Sequence, residues 1–346
     1  MTLSRIVCRF WRLSLRWAAG LTFAVRVLGI VSGSPSGAVA TARGALPLGS
    51  VSPAGAPPDC PVGTTCLGLT VTCPGVEQSV VAHLATNEPT GRRRGLVMFF
   101  SAGGGESWYL GQAQTTALVS ELQADGFKVV QVRWETSWLT AARGEQAGAA
   151  RLACRPATVI RWVYDNVYSS MGVRPSTVGR CGFCASGNSG GATQVAYSLG
   201  YYGLDSILDA VVPTSGPPHA AIAKGCLEQA GYDYENDLNI DRNYGFLGRA
   251  GPWGRHELTW ASQWDADSIA VGALDLVHPT TRIELMVGDL DETGSPAHSA
   301  AYRDSLVGAG SPLVRYLEVV CAGHTLPDHP SGRAATRAAL LGDPGR

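Results

Sequence analysis

Residues 177–199 read Thr177-Val-Gly-Arg-Cys-Gly-Phe-Cys-Ala-Ser-Gly-Asn-Ser-Gly-Gly-Ala-Thr-Gln-Val-Ala-Tyr-Ser-Leu199, and they place a glycine-rich turn between two regular elements. The run 178–185 has strand character, and the run 192–199 has helix character. At the centre, Gly187-Asn-Ser-Gly-Gly191 fits the pattern G-x-S-x-G. A serine on so sharp a strand-to-helix turn is held in a strained backbone with its hydroxyl exposed. The pattern also fits a βα loop without chemistry, so other parts of the chain are needed to distinguish the two.

The neighbours of this serine have expected roles of their own. Side chains at Gly187 and Gly191 would collide where the strand and the helix meet, so we expect glycine to be required there. Cys181 and Cys184 have the spacing C-x-x-C. A redox or zinc site would need a partner pair or a thioredoxin-like context, and the sequence offers neither. We therefore interpret the two as buried structural cysteines or disulfide halves.

The composition is that of a globular chain with a sizeable core. The 346 residues are 45% hydrophobic and 16% charged, with a net charge of −1. This length accommodates one large α/β domain or two small ones. No basic field points to nucleic acid or to a membrane surface, so we predict neither as a partner. Without Cys8, which lies in the N-terminal segment, eight of the nine cysteines remain, and an even number suits an oxidising compartment.

The N-terminal region, 1–42, has the three parts of an export signal peptide. Four arginines make a basic start, an apolar stretch covers 17–31, and Ala38-Val-Ala40 supplies an A-x-A cleavage pattern. We predict a secreted or periplasmic protein with no stable membrane span after cleavage, with a retained anchor as the alternative. Residues 43–60 are rich in Pro, Gly, Ala and Ser, which predicts a flexible linker.

Strands alternate with helices through most of 61–346. Strand-like runs at 66–73 and 79–85 predict an antiparallel start. The wholly apolar Leu96-Val-Met-Phe-Phe100 is typical of a central strand covered on both faces. Further strands are expected at 127–134, 207–213, 282–288 and 313–320, and helices at 108–124, 147–171, 295–305 and 330–341. This alternation predicts an α/β fold with a doubly wound, mostly parallel sheet.

Residues 218–281 interrupt the alternation and predict an inserted cap of mixed helix and loop between the strands near 213 and 282. Trp253, Trp260 and Trp264 of this segment could line a pocket together with Trp108, or could pack in the core. The acidic run 233–243 resembles a calcium loop, but Leu238 and Tyr244 stand where glycine and an acid are needed. We interpret it as a solvated segment and predict neither a metal nor a cofactor.

Two more loops follow predicted strands, and together with the serine turn they carry a resemblance. One is Gly288-Asp-Leu-Asp-Glu-Thr-Gly-Ser-Pro296 and the other is Val320-Cys-Ala-Gly-His-Thr-Leu-Pro-Asp-His-Pro330. Over about 66–341 the chain resembles the α/β-hydrolase superfamily, and within it a serine esterase or lipase. The resemblance implies Ser189 as the nucleophile, with Asp291 as the acid and His324 as the base, in the required chain order.

Some alternatives stay open within this resemblance. Asp289 competes with Asp291 as the acid, and His329 competes with His324 as the base. The resemblance also implies an oxyanion hole made by the backbone N–H groups of Gly190 and Gly103. Ser101-Ala102 stands where related families have His-Gly, so Gly104 remains an alternative to Gly103.

The predicted activity is hydrolysis of a small-molecule or polymer-borne carboxylic ester through an acyl-enzyme. A serine peptidase of the same fold is the first alternative, because a triad of this kind cleaves esters and amides alike. The second is a catalytically inactive member that serves as a binding module.

Overall fold

The computed structural model describes residues 44–342 apart from 174–176, 233–236 and 248–250. The predicted export segment, 1–42, lies outside the described residues and stays a prediction. Within the described ranges, no helix is long and apolar enough to cross a membrane.

Nine strands form one sheet. They are β1 (Ser50–Ala54), β2 (Thr65–Thr72), β3 (Val80–Asn87), β4 (Gly95–Phe100), β5 (Phe127–Trp134), β6 (Phe183–Asn188), β7 (Ala210–Thr214), β8 (Arg282–Gly288) and β9 (Val314–Val319). Their order across the sheet is β1-β2-β3-β5-β4-β6-β7-β8-β9. The first three pairings, as far as β3 with β5, are antiparallel, and all later ones are parallel. The predicted antiparallel start and mostly parallel sheet are confirmed.

Helices cover both faces of this sheet. They are α1 (Ala113–Ala124), α2 (Gly148–Leu152), α3 (Cys154–Val163), α4 (Gly190–Tyr202), α5 (Ile222–Cys226), α6 (Asp237–Asn243), α7 (Ala261–Asp267), α8 (Ile269–Gly272), α9 (Ser295–Ala309) and α10 (Pro330–Leu341). One hydrophobic core includes side chains of α3, α4 and α9, and the other includes side chains of α1 and α10. The sheet is therefore doubly wound, as predicted.

Strand β4 explains why a central strand needs a wholly apolar sequence. Leu96, Met98 and Phe100 belong to the core on one face, and Val97 and Phe99 belong to the core on the other. All five side chains are fully buried. No position of this strand faces water, so the alternation of polar and apolar residues seen in one-sided sheets is absent.

Two predicted helices are shorter or more divided than expected. The helix predicted over 108–124 begins only at Ala113. The helix predicted over 147–171 divides into α2, α3, a π-helical turn and a 3₁₀ turn ending at Met171. Leu152 is the last residue of α2, and Pro156 has no N–H to donate to its carbonyl. This missing hydrogen bond accounts for the break between α2 and α3.

The prediction of a flexible linker over 43–60 is wrong for the part that forms β1. This strand pairs antiparallel with β2, with Ser50 opposite Thr72 and Ala54 opposite Gly68. Just before it, the backbone N–H of Gly49 donates to Oγ1 of Thr158 at 2.8 Å. The edge of β2 presents unpaired backbone groups, and pairing with β1 satisfies them.

Within the segment 218–281, the described residues form short helices and loops, and several of their side chains make a small hydrophobic core. Trp253 and Trp264 are buried in this core, and Trp260 packs against it. The interpretation of 233–243 as solvated is wrong for Asp241, which is fully buried. Its carboxylate accepts backbone N–H bonds from Gly251, Trp253 and Gly254. That the segment caps the candidate site stays a prediction.

Three disulfides join cysteines within the described residues, namely Cys60–Cys66, Cys73–Cys154 and Cys181–Cys184. The interpretation of Cys181 and Cys184 as disulfide halves is confirmed, and they pair with each other. The thiol of Cys226 is free and buried.

Replacing both cysteines of the Cys73–Cys154 disulfide by alanine should lower the free energy of unfolding by about 4 kcal/mol. The bond closes a loop of 81 residues, and long loops lose the most entropy when they are cross-linked in the unfolded chain. The matched control is removal of Cys60–Cys66, which closes only 6 residues and should cost about 2 kcal/mol. Urea unfolding of the three proteins measures both values. Equal losses from the two double variants would contradict the loop-length argument.

Candidate active site

Ser189 occupies the sharp turn between β6 and α4. Its backbone has φ 53° and ψ −114°, an uncommon conformation for a residue with a side chain. The backbone N–H of Ser189 donates to the carbonyl of Thr214 at 2.9 Å, and its carbonyl accepts from the N–H of Thr193 at 3.1 Å. These bonds to β7 and to the first turn of α4 hold the strained residue in place at the carboxyl end of β6.

The glycines around Ser189 allow three backbone segments to approach each other closely. A Cβ at Gly187 would collide with the backbone of Gly191, and a Cβ at Gly191 would collide with the carbonyl of Phe100. The predicted steric requirement at these two positions is confirmed. A Cβ at Gly190 would collide with the backbone of Gly103. The start of α4 therefore lies directly against the loop that follows β4.

Asp291 and His324 lie in the loops after β8 and β9, and their side chains meet. Oδ2 of Asp291 is 3.1 Å from Nδ1 of His324. The Asp291 side chain is completely buried, whereas about a quarter of the His324 side chain, 27%, is exposed. If Nδ1 carries the proton and donates to the carboxylate, Nε2 is the basic nitrogen of the ring.

Thr293 contacts both Asp291 and His324, and the sequence analysis did not predict this role. Its Oγ1 donates to Oδ1 of Asp291 at 2.7 Å, and its backbone N–H donates to the same oxygen at 3.1 Å. Oγ1 also lies 3.2 Å from Nδ1 of His324. A threonine two residues after an aspartate can bond back to its carboxylate, so the Asp291-Glu-Thr293 spacing carried a signal.

Burial of Asp291 disfavours its charged form, but the hydrogen bonds from His324 and Thr293 outweigh this effect. Together they hold the pKa of the Asp291 carboxyl below its usual value. The side chain is therefore an anion near neutral pH, which is the state that orients and stabilises a neighbouring imidazolium.

The two competing residues make other contacts. Oδ1 of Asp289 accepts the backbone N–H of Ala322 at 3.3 Å. Nε2 of His329 accepts the backbone N–H of Gly323, also at 3.3 Å. Both side chains thus bond the backbone just before His324. This geometry favours Asp291 as the carboxylate partner of His324.

The loop after β4 is anchored at its far end and approaches α4 at its near end. The carbonyl of Gly104 accepts from the N–H of Trp138 at 3.1 Å, and the carbonyl of Gly105 accepts from the N–H of Trp134 at 2.8 Å. Gly103 has φ 60°, the left-handed conformation that favours glycine. Gly190 is the first residue of α4, where backbone N–H groups have no acceptor within the helix.

An open cleft of about 500 Å³ adjoins these loops. Its lining includes Asn188 and Thr325, the chain neighbours of Ser189 and His324, so the cleft lies next to the loops that carry both predicted residues. The loop after β4 and the start of α1 supply most of the remaining wall, and single residues or pairs from elsewhere complete it. These residues are Asp59, Ser101, Ala102, Glu106, Ser107, Trp108, Tyr109, Leu110, Gly111, Gln112, Thr115, Arg133, Pro327 and Asp328. The described part of 218–281 contributes no residue to this lining. Of the four tryptophans predicted as possible pocket residues, Trp108 alone lines this cleft.

One wall of the cleft is held by an ion pair and a cation–π contact that the sequence analysis did not predict. Arg133 forms an ion pair of 2.6 Å with Asp59 and lies over the ring of Trp108 at 4.9 Å. The indole N–H of Trp108 donates to the carbonyl of Asp59 at 3.1 Å. These three residues are up to 74 positions apart in the chain, so no local sequence pattern predicts that they contact each other.

A larger cleft, of about 870 Å³, lies elsewhere on the molecule. Arginines and acidic residues line much of it, and several of these charges pair with each other, such as Arg337 with Asp125 at 2.7 Å. Its lining includes neither Ser189, Asp291 and His324 nor their chain neighbours, whereas Asn188 and Thr325 line the smaller cleft. We therefore assign the candidate active site to the smaller cleft.

Solved structures of esterases share this fold. An arylesterase structure has a TM-score of 0.51 and 19% identity, over 86% of this chain and 87% of that chain. Carboxyl esterase 2 from the mycorrhizal fungus Tuber melanosporum has a TM-score of 0.51 and 15% identity, over 81% and 86%. A puromycin-hydrolyzing peptidase from Mycobacterium tuberculosis has a TM-score of 0.51 and 12% identity over 82% of this chain, which spans only 40% of that one.

No protein-family model and no curated protein sequence matches the chain. The sheet order and the structural neighbours together give this protein the α/β-hydrolase fold. The resemblance drawn from the three loops is thereby confirmed for the fold, and the chain is similar to hydrolases that include carboxylesterases.

Proposed function

We propose that this protein is an exported serine hydrolase that cleaves carboxylic esters through an acyl-enzyme. One observation carries the proposal. The buried Asp291 carboxylate meets the His324 imidazole at 3.1 Å beside a cleft that also borders the strained turn of Ser189. A nucleophile, a base and an acid on these three loops are what acyl transfer on this fold requires.

The chemistry follows from the roles of these residues. Nε2 of His324 takes the proton of the Ser189 hydroxyl while Oγ attacks the ester carbonyl carbon, and the carbonyl oxygen becomes an oxyanion. The backbone N–H groups of Gly103 and Gly190 stabilise that oxyanion. His324 then gives the proton to the departing alcohol, and the acyl group stays on Ser189. Water repeats the sequence and releases the acid, while Asp291 stabilises the imidazolium in both halves.

The cleft has the size and the polar groups to hold one part of the ester. Its volume of about 500 Å³ lies within the range typical of small-molecule sites. Oγ of Ser101 and Nδ2 of Asn188 are buried in its wall, and neither has a hydrogen-bond partner within the described part of the chain. Trp108 supplies an apolar face beside them.

Two carboxylates in the cleft favour a peptidase as the second candidate. Glu106 and Asp328 line the cleft, and within the described ranges neither forms a salt bridge. A protonated substrate amine, such as a peptide amino terminus, would compensate these charges. One of the structural neighbours is itself a peptidase.

A substrate panel separates the two candidates. We expect p-nitrophenyl esters of increasing acyl length to be hydrolysed with a higher kcat/KM than aminoacyl-p-nitroanilides. Amide substrates have the poorer leaving group, and neutral esters do not need the two carboxylates. A higher kcat/KM for the anilides, lost in Glu106→Gln and Asp328→Asn variants, would assign the peptidase activity instead.

Export is the remaining part of the proposal. The three disulfides suit an oxidising compartment, and the predicted signal peptide would end at Ala40. N-terminal sequencing of the protein recovered from outside the cytoplasm tests it. An N-terminus shortly after Ala40 supports export with cleavage, and an intact chain confined to the cytoplasm contradicts it.

A further inference from the structure

Three side chains of the types that ligate metal ions lie close together near the amino ends of the strands, at the opposite end from Ser189. Asp205 lies in the turn that precedes β7, and Asp275 and His278 lie in the loop that precedes β8. One ligand atom of each lies within 4.8 Å of the other two. The candidate catalytic loops follow the carboxyl ends of the strands, whereas these loops lead into the amino ends. The cluster is therefore separate from the cleft beside Ser189.

His278 is the decisive member of this cluster. Its side chain is fully buried, and neither ring nitrogen has a hydrogen-bond partner within the described residues. Buried polar groups in folded proteins almost always have a partner, so an unsatisfied imidazole calls for one. Its backbone is well anchored, since the N–H of His278 donates to Oγ of Ser311 at 2.9 Å, which in turn donates to the carbonyl of Leu276. The loop thus holds a nitrogen with a free lone pair close to two carboxylates.

The two carboxylates also lack a positive partner. Within the described ranges, neither Asp205 nor Asp275 forms a salt bridge with a basic side chain. Asp275 accepts the backbone N–H of Val277 at 2.8 Å, which leaves further lone pairs on the carboxylate. The backbone carbonyl of Asp205 accepts from Oγ1 of Thr281, and this bond connects the two loops. Two negative charges and an unpaired imidazole in one place match the charge and the ligand needs of a divalent cation.

We propose that Asp205, Asp275 and His278 bind a zinc ion. Zn²⁺ combines imidazole nitrogen with carboxylate oxygen in four-coordinate sites, and water would supply the fourth ligand. Ca²⁺ and Mg²⁺ prefer sets of oxygen ligands alone, and this cluster contains a nitrogen and only two carboxylates. No metal-binding motif is visible in the sequence, because Asp205 lies 70 or more residues before Asp275 and His278.

The proposed ion is structural. It would join the segment that leads into β7 to the segment that leads into β8, two neighbouring strands of the parallel sheet. Its binding energy would therefore add to the stability of the folded chain. It would not take part in ester hydrolysis, because the reacting groups lie beyond the other end of the strands.

Metal titration of the untagged, chelator-treated protein tests this proposal. We expect one Zn²⁺ per chain by calorimetry and by elemental analysis of the dialysed sample. We also expect Tm to rise by about 5 °C when free zinc exceeds Kd a hundredfold. Ca²⁺ and Mg²⁺ should leave Tm unchanged. Ester hydrolysis measured well below Tm should be the same with and without zinc.

Three variants complete the test. His278→Ala and Asp205→Asn should both lose the bound zinc and the rise in Tm. Asp205 is only half-buried, so its amide variant stays informative if the His278 variant fails to fold. Asp265→Asn, the same acid-to-amide change at another half-buried aspartate, is the matched control and should keep both. Absence of zinc-dependent stabilisation in the parent chain would overturn the proposal, as would an unchanged rise in Tm in the Asp205→Asn protein.

Discussion

Replacing Ser189 by alanine is expected to lower kcat for p-nitrophenyl ester hydrolysis by about 10⁶-fold. The change removes the oxygen that would form the acyl-enzyme and leaves only the residual catalysis of the oxyanion hole and of binding. Alanine keeps the Cβ, so the backbone bonds of this turn to Thr214 and Thr193 are retained. Steady-state kinetics with the purified variant measures the loss, and circular dichroism checks that the fold is intact.

Ser198→Ala is the matched control for that experiment. Ser198 is a buried serine on α4, the helix that follows Ser189, and its Oγ donates to the carbonyl of Gln194 at 2.7 Å. Loss of this bond changes stability slightly and should leave kcat and KM unchanged. A folded Ser189→Ala protein that hydrolyses the ester about as fast as the Ser198→Ala protein would contradict Ser189 as the nucleophile.

The second large effect is expected from Asp291→Asn, which should lower kcat by about 10⁴-fold. An asparagine amide can hold the imidazole in the wrong tautomer, and it cannot stabilise the imidazolium that forms during catalysis. Because the pKa of Asp291 lies below its usual value, the parent carboxylate stays ionised at neutral and mildly acidic pH. The loss should therefore persist across that range. Rates measured over the pH range for both proteins provide the comparison.

Asp289→Asn provides the matched control and decides the alternative that the sequence left open. Asp289 accepts the N–H of Ala322, a bond that an amide oxygen can replace, so kcat should fall by less than about tenfold. If the larger loss belongs to the Asp289 variant, the assignment of the acid is reversed. Comparable large losses in both would indicate that the loop itself is damaged, and the melting temperatures of the two variants show whether this is so.

Several elements could be predicted from sequence because one physical signal dominates each of them. Strands β5 and β8 have the predicted bounds, since each is rich in aliphatic or aromatic residues and follows a turn segment. Helix α10 also has its predicted bounds, because Pro330 favours the first turn and Gly342 adopts the left-handed conformation just after the last one. Ser189, Asp291 and His324 could be singled out as candidates for a similar reason, since each follows a recognisable strand.

Other features depend on contacts that no local pattern encodes. Strand β1 lies at the edge of the sheet and is largely exposed, so its sequence has the composition of a linker. The ion pair between Asp59 and Arg133 joins residues from distant parts of the chain, and so does the cluster of Asp205 with His278. Strand β6 was predicted to begin near Val178 but begins at Phe183, because Val178 is 68% exposed and an apolar residue need not be buried.

Covalent labelling provides the sharpest test of Ser189 as the nucleophile of a serine hydrolase. The intact protein would be treated with a fluorophosphonate probe, digested, and analysed by mass spectrometry. We expect one adduct, on the Ser189 peptide, and its loss in the Ser189→Ala protein. A folded protein that takes up no probe, or that carries the adduct on another residue, would contradict it.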